Sequence, residues 1–292
     1  MDELLDCAIV GGGAAGLSAA LVLGRARRTV ALLDDGEQSN LAAAHVGGFF
    51  GHDGTPPAEL YERARAQLEP YPTVALHDAT VTAVDREGDG FVVATAGSEV
   101  RARRLLLATG MRYELPDIPG LPELWGDTVF HCPFCHGWEM RDRRLAVLGT
   151  GEELVERALL LRGWSDDVVA LTNGAGRPGR EAHVPVVERP IAQLRSNGRE
   201  LTAVVFDDGS ALERDGLMIP AVLSQRTPFT AELGLELTER GTVAVDARGR
   251  TSLDGVYAAG DIAAPIQQVV IAAAAGAVAA ASIVHDLVVA RA

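Results

Sequence analysis

The chain has 292 residues, 48% of them hydrophobic, which suits two ordinary domains with separate cores and excludes a disordered protein. Its formal net charge is −14, and all 26 basic residues are arginine. That balance argues against a nucleic-acid partner, because no basic stripe exists to displace counterions from a phosphate backbone.

The first residues, with Asp2, Glu3 and Asp6 and no base, do not read as a secretory leader, so a cytoplasmic protein is expected. Asp6 to Val10 reads as an apolar strand, followed by a glycine turn and an Ala-rich helix. The fingerprint glycines are Gly11, Gly13 and Gly16: one for the turn, one for approach of a pyrophosphate, one for helix–strand packing. The helix N-terminus offers its unpaired N–H groups to the phosphates. Thr29 to Leu33 is a second strand ending in Asp34-Asp35, at the spacing of a ribose-binding carboxylate. Val81 to Val93 and Glu99 to Leu107 alternate around glycine turns as a small antiparallel meander. The last strand runs into Ala108-Thr109-Gly110.

Tyr113 to Pro122 holds three prolines and reads as a linker. Cys132-Pro133-Phe134-Cys135-His136 follows. Two thiols at this spacing can close a disulfide, and the adjacent imidazole can move the proton that thiolate chemistry needs. Zinc is the competing reading of such a pair, but no second cysteine pair or ordered histidine pair follows, although His131 and His136 flank the motif. Cys7, inside the first strand, reads as a buried apolar residue.

Arg144 to Gly151 opens a second strand, glycine turn and helix, and Val168 to Leu171 is the next strand. Ala203 to Pro220 is a hairpin. Gly241 to Arg250 leads into Gly255 to Asp261 and a final Ala-rich helix. Val269 to Val284 is uncharged but shorter than a bilayer span, so it reads as a buried helix and no membrane is expected. Too few residues remain for a third domain. The expected architecture is therefore α/β, with two Rossmann-like nucleotide-binding domains of the three-layer ββα type, the second inserted into the first. The expected segments are 1–112, 113–240 and 241–292.

Gly11-Gly-Gly-Ala-Ala-Gly16, Ala108-Thr-Gly110, Cys132-Pro-Phe-Cys135, Gly149-Thr-Gly151 and Ala258-Ala-Gly-Asp261 together resemble the low-molecular-weight thioredoxin reductase family over essentially the whole chain. The resemblance implies FAD in the first domain, held by Gly11, Gly13, Gly16 and Asp34. It also implies that Thr109, Gly110 and Asp261 line the flavin, that Gln268 and Val269 cap its ring, and that Val81 meets adenine through its backbone. Asn40 is a further candidate contact. The middle domain of that family binds NADPH, and its members are expected to be homodimers.

Two departures change the functional expectation. Glu152 and Glu153 stand where a pyrophosphate would dock on the second turn, and Leu154 replaces a small residue. No basic pair follows until Arg177 and Arg180, so the pattern argues against NADPH. His136 stands where typical members carry Asp, and imidazole titrates near neutrality. Both features resemble the dithiol oxidase branch, the disulfide-forming flavoenzymes of holomycin- and gliotoxin-type natural product pathways.

The expected reaction closes a disulfide in a small dithiol, with Cys132, Cys135 and His136 catalytic, and electrons passing to FAD and then to O2 to give H2O2. Two alternatives stand beside it: an NADPH-dependent thioredoxin-disulfide reductase, and a non-catalytic redox-sensing flavoprotein. His45 and His52, in a glycine-rich loop, are candidates to reach the flavin. Phe49, Phe50, Phe134 and Trp138 are candidates for an apolar substrate wall or for the core.

Overall fold

The computed structural model describes residues 4–181 and 183–289. The chain divides into two units, one of residues 1–39, 57–112 and 223–292, the other of residues 40–56 and 113–222. Both are nucleotide-binding α/β layers of the kind the sequence predicts, the second inserted into the first.

In the first unit, strands Val74–Asp78, Val30–Asp34, Leu5–Val10 and Glu99–Leu107 lie side by side in parallel. The far side of Glu99–Leu107 is shared. Its first half pairs antiparallel with Gly90–Thr95 of the meander, and its last residues pair parallel with Val256–Ala258. The central strand is apolar at successive positions because both faces are covered. Cys7 and Ile9 join the cluster under helices Ala14–Arg25 and Val269–Val289. Ala8 and Val10 join the cluster with Val84, Phe91 and Val93 of the meander. Burial drives the Cys7 thiol pKa far up, so it behaves as a small apolar group, as expected.

Helix Val269–Val289 is long and apolar enough to cross a membrane by length and composition alone. Here Ala272, Ala279, Ala280, Ile283 and Leu287 are buried in the same cluster as Leu17 and Leu23. The two helices touch at Gly276, where a Cβ would lie 2.0 Å from the Ala15 carbonyl oxygen.

The second unit holds a five-stranded parallel sheet in the order Val186–Val187, Val168–Leu171, Leu145–Leu148, Gly216–Met218, Val129–Phe130. Helix Gly151–Leu161 buries Leu154, Ala158 and Leu161 among side chains of this sheet. A three-stranded antiparallel sheet, Ile191–Asn197, Glu200–Phe206 and Ala211–Glu213, completes the unit.

The units differ from the expected segments in two places. The chain returns to the first unit at Leu223, before the expected 241, because Phe229, Leu235 and Val243 pack with Phe91 and Leu107 in its core. Residues 40–56 belong with the second unit, where Arg199 donates to the Ala42 carbonyl and His45 meets Glu139.

The Gly276 contact yields a first prediction. Gly276→Ala must separate two helices in the core and is expected to cost about 1–3 kcal/mol, read as a lowered melting temperature. Gly97→Ala, with no atom within 4 Å of the new Cβ, should leave the melting temperature unchanged.

Candidate functional site

The first unit presents a cradle at the carboxyl ends of its parallel strands. Gly11 has φ +105°, and a Cβ there would lie 2.4 Å from the Ala108 carbonyl oxygen, while a Cβ at Gly16 would lie 1.9 Å from that of Gly11. Neither position admits a side chain. Gly13 is different. A Cβ there would meet only Gln38 Cγ, at 3.7 Å, so the protein itself leaves that space, and a pyrophosphate would fill it. Gly13 is also the N-cap of helix Ala14–Arg25, with no side-chain cap and no acid in the first turn. Its end is therefore positive, with backbone donors available to an anion.

Asp34 ends its strand 5% exposed. Its carboxylate accepts from Gly12 N at 3.0 Å, from Gln38 Nε2 and from Arg65 at 3.0 Å. Arg65 also bonds Asp78. Ala79 N donates to the Asp34 carbonyl at 2.9 Å, which sets the start of Val81–Glu87 and hence Val81 at the same edge. Sequence reasoning missed Gln38 and Arg65: Arg65 lies on an ordinary surface helix, Pro57–Ala66, and nothing local marks it.

Ala108 N bonds Val10 O, and Ala259 N bonds Leu107 O, so Thr109-Gly110 and Gly260-Asp261 leave adjacent strand ends. The Thr109 hydroxyl is buried with no hydrogen-bond partner among the described residues. Burial raises the Asp261 carboxyl pKa to about 6. Val269 is the first residue of its helix and Gln268 precedes it, with the Gln268 carbonyl accepting from Ala272 N. An orphaned hydroxyl, a desolvated carboxylate and a helix N-terminus suit a ligand rich in hydroxyls and electronegative ring atoms, as a flavin dinucleotide is. Asn40 falls at the start of the segment assigned to the second unit, next to Ser39, whose hydroxyl donates to the Met111 carbonyl.

The cysteine motif lies in the second unit. Strand Val129–Phe130 delivers Cys132 as N-cap of the short helix Pro133–His136, with Pro133 at its first position. Cys135 N and His136 N both donate to the Cys132 carbonyl at 3.2 Å. The loop 40–56 packs on this turn: a Cβ on Gly47 would lie 2.7 Å from the Cys135 carbonyl oxygen. His45 Nε2 is 3.1 Å from Glu139 Oε1, one turn beyond His136. In the same loop, His52 contacts Phe49 at a ring distance of 5.1 Å.

His136 stacks on Phe130, and its Nε2 lies 3.3 Å from the Gly126 carbonyl. That oxygen can only accept, so the network assigns the hydrogen to Nε2 and the lone pair to Nδ1. Nδ1 is buried with no partner among the described residues. Burial lowers the His136 pKa, with Gly126 and Glu139 pulling it back up. The ring is thus a neutral acceptor at pH 7. His131 is held between Tyr113 and Trp125, and burial, reinforced by His136, lowers its pKa to about 4. It stays neutral throughout the working range. Phe134, Trp138 and Phe50 are 63%, 67% and 88% exposed, so none of them is core.

The second glycine turn keeps a cavity of about 290 Å3. Glu153 does not reach toward it unopposed: Arg157, four residues on, pairs with it at 2.8 Å. Arg157 also donates to the Ile219 carbonyl at 3.0 Å. Leu154 is fully buried in the core of the unit.

The pyridine nucleotide-disulphide oxidoreductase family matches residues 5–189 and 180–280. Thioredoxin reductase aclD of Aspergillus oryzae is 32% identical over 97% of this chain and 96% of its own length. The crystal structure of HlmI has a TM-score of 0.93 and 39% identity, covering 99% of this chain and 94% of that one. An oxidoreductase from Agrobacterium tumefaciens has a TM-score of 0.92 and 35% identity, covering 98% and 99%.

Asp261 supplies the second prediction. A carboxyl whose pKa is raised in the folded protein favours its protonated form, and that preference is lost as pH rises through about 6. A ligand hydroxyl donated to the carboxylate favours the charged form instead. FAD affinity is therefore expected to weaken by about tenfold between about pH 7.5 and about pH 5. Asp261→Asn should flatten that dependence, as followed by quenching of FAD fluorescence on binding to the apoprotein.

Proposed function

The chain belongs to the pyridine nucleotide-disulphide oxidoreductase family, in its low-molecular-weight thioredoxin reductase-like branch, and from that premise we propose that it oxidises a small dithiol to its intramolecular disulfide. As a member it is an FAD-dependent oxidoreductase. The observation that carries the finer reading is the contrast between the two glycine turns. The first turn offers an anion an uncapped helix end and an open space. The second starts its helix with two acids, and its lining arginine is already committed to Glu153 and Ile219.

Gly11, Gly13, Gly16, Asp34, Thr109, Gly110, Asp261, Gln268 and Val269 would hold FAD, with Val81 at the adenine and Asn40 as a further contact. When bound, FAD supplies the two-electron acceptor for the cysteine pair and the route to O2. The pair itself performs the exchange. His136 takes a proton from one substrate thiol through Nδ1, the nitrogen that its bond to Gly126 leaves basic. The resulting thiolate attacks Cys132 of the Cys132–Cys135 disulfide, forming a mixed disulfide and releasing Cys135 as thiolate. The second substrate thiol displaces Cys132, so the substrate leaves as a cyclic disulfide and the enzyme keeps two electrons and its protons. The net change is dithiol plus O2 to disulfide plus H2O2.

The exposed Phe134 and Trp138 beside the cysteines fit a small, apolar substrate better than a charged one. A homodimer is part of the reading: Val278, Val288 and Val289 leave apolar surface on the outer side of the last helix. A second reading, an NADPH-dependent disulfide reductase, is favoured by one observation, the cavity that survives at the second turn.

An anaerobic comparison decides between them. Dithiothreitol is expected to bleach the bound flavin and NADPH to leave it oxidised, with H2O2 released when air is admitted. Rapid bleaching by NADPH would overturn the oxidase reading. Cys135→Ser should abolish bleaching by dithiol. His136→Gln should slow it by about 10²-fold or more and remove the acidic limb of the pH–rate profile, where protonation of the lowered-pKa imidazole shuts off the base.

A further inference from the structure

The Gly126 carbonyl that meets His136 Nε2 sits on a turn held lightly by its own bonds. Gly126 has φ +82°, a left-handed conformation that favours glycine and leaves the backbone free to rotate. Gly126 N donates to the Val129 carbonyl at 2.9 Å, and Asp127 N donates to that of Leu124 at 3.2 Å. The second bond sets the plane of the Gly126–Asp127 peptide, and with it the direction of the carbonyl. Its length is at the long end of the hydrogen-bond range, so alone it is a weak hold.

Arg199 braces the turn from outside. Its Nη2 donates to the Trp125 carbonyl at 3.3 Å and to the Ala42 carbonyl at 3.0 Å, and its Nε donates to Asp127 Oδ2 at 3.2 Å. The guanidinium thus holds the residues on both sides of Gly126. Through Ala42 it also holds the segment lying against Gly126, where a Cβ would be 2.7 Å from the Ala42 carbonyl carbon. That segment continues to His45, which meets Glu139, and to Gly47, which rests on the Cys135 carbonyl.

The place of Arg199 is itself fixed. It lies in the turn between Ile191–Asn197 and Glu200–Phe206. The hydroxyl of Thr128, a residue 2% exposed, donates to the Arg199 carbonyl at 3.0 Å and accepts from Leu201 N at 3.1 Å. A planar guanidinium presents several donors in fixed directions and stays charged across the working pH range, so it can hold these acceptors together.

We propose that Arg199 is a positioning residue for His136: by clamping Trp125, Asp127 and Ala42 it fixes the Gly126 carbonyl, and so keeps the ring hydrogen on Nε2 and leaves Nδ1 to a thiol. The proposal rests on His136 acting as the base of the dithiol reaction, and extends that machinery to a side chain on another element.

Holoprotein carrying isotope-labelled histidine would be followed by nitrogen NMR, with the His136 ring signals identified by their absence from His136→Gln. In the native protein Nε2 is expected to carry the hydrogen. Arg199→Ala should lower the ratio of the Nε2–H form to the Nδ1–H form by about fivefold, the scale of one lost hydrogen bond, with FAD content unchanged. Bleaching by dithiothreitol should slow by about fivefold as well, less than in His136→Gln, because the base is displaced and not removed. Arg199→Lys keeps the charge without the fork and should fall between the native protein and Arg199→Ala. Arg195→Ala removes an exposed arginine from the same hairpin and should change neither reading. Native ring signals in Arg199→Ala, or equal shifts in Arg195→Ala, would overturn the proposal. A changed tautomer with unchanged bleaching would support the clamp and overturn His136 as the base, so the two readings fail separately.

Discussion

The approach of Gly16 to the Gly11 carbonyl, and of Gly11 to Ala108, is the constraint on which the first unit depends. With a Cβ at either position 2.4 Å or less from a carbonyl oxygen, helix Ala14–Arg25 could not start where it does. Its starting point fixes three things at once. It aims the uncapped N-terminus at the space over Gly13. It seats Ala15 against Gly276 of the last helix, and it leaves Thr109 and Asp261 on neighbouring strand ends. A backbone contact thus does the work that side chains do in most pockets. The side chains that remain, an orphaned hydroxyl and a desolvated carboxylate, are free to meet a ligand.

The same strand–turn–helix plan occurs twice in this chain with opposite electrostatics. Helix Ala14–Arg25 has no acid in its first turn; helix Gly151–Leu161 has two. At a helix start, a carboxylate supplied by the chain and a phosphate supplied by a ligand compete for the same positive end. Where the chain supplies the carboxylate, the helix is stabilised and the anion site is lost. The first helix end carries no competing carboxylate, and the second carries two.

Much of this was legible from residues alone because it is local. The glycine fingerprint, the acid ending the second strand, the apolar strand buried on both faces and the CxxCH turn all depend on neighbours a few positions away. The i,i+4 pairing of Glu153 with Arg157 was equally local, and helical spacing could have revealed it. What the sequence hid is long-range. Nothing near residues 40–56 indicates that Gly47 rests on Cys135 or that His45 meets Glu139. The return of the chain at Leu223 was obscured because Phe229, Leu235 and Val243 are scattered between turn residues, so no periodic pattern announces that they fill the core beside Phe91. Arg65 was invisible for the same reason, since only the fold carries it to Asp34.

The loop contact gives His136 a meaning that adjacency in sequence did not. A neutral histidine has two tautomers, each with one basic nitrogen, and the tautomer decides which of the two it is. The Gly126 carbonyl makes that choice by accepting from Nε2. Burial against Phe130 lowers its pKa and keeps the ring neutral, while the Gly126 hydrogen bond and then Glu139 oppose that fall. Because Glu139 is also the partner of His45, the loop that covers the Cys135 carbonyl and the His136 ring feel the same carboxylate. Covering the turn and setting the proton affinity of its histidine are consequently a single structural arrangement.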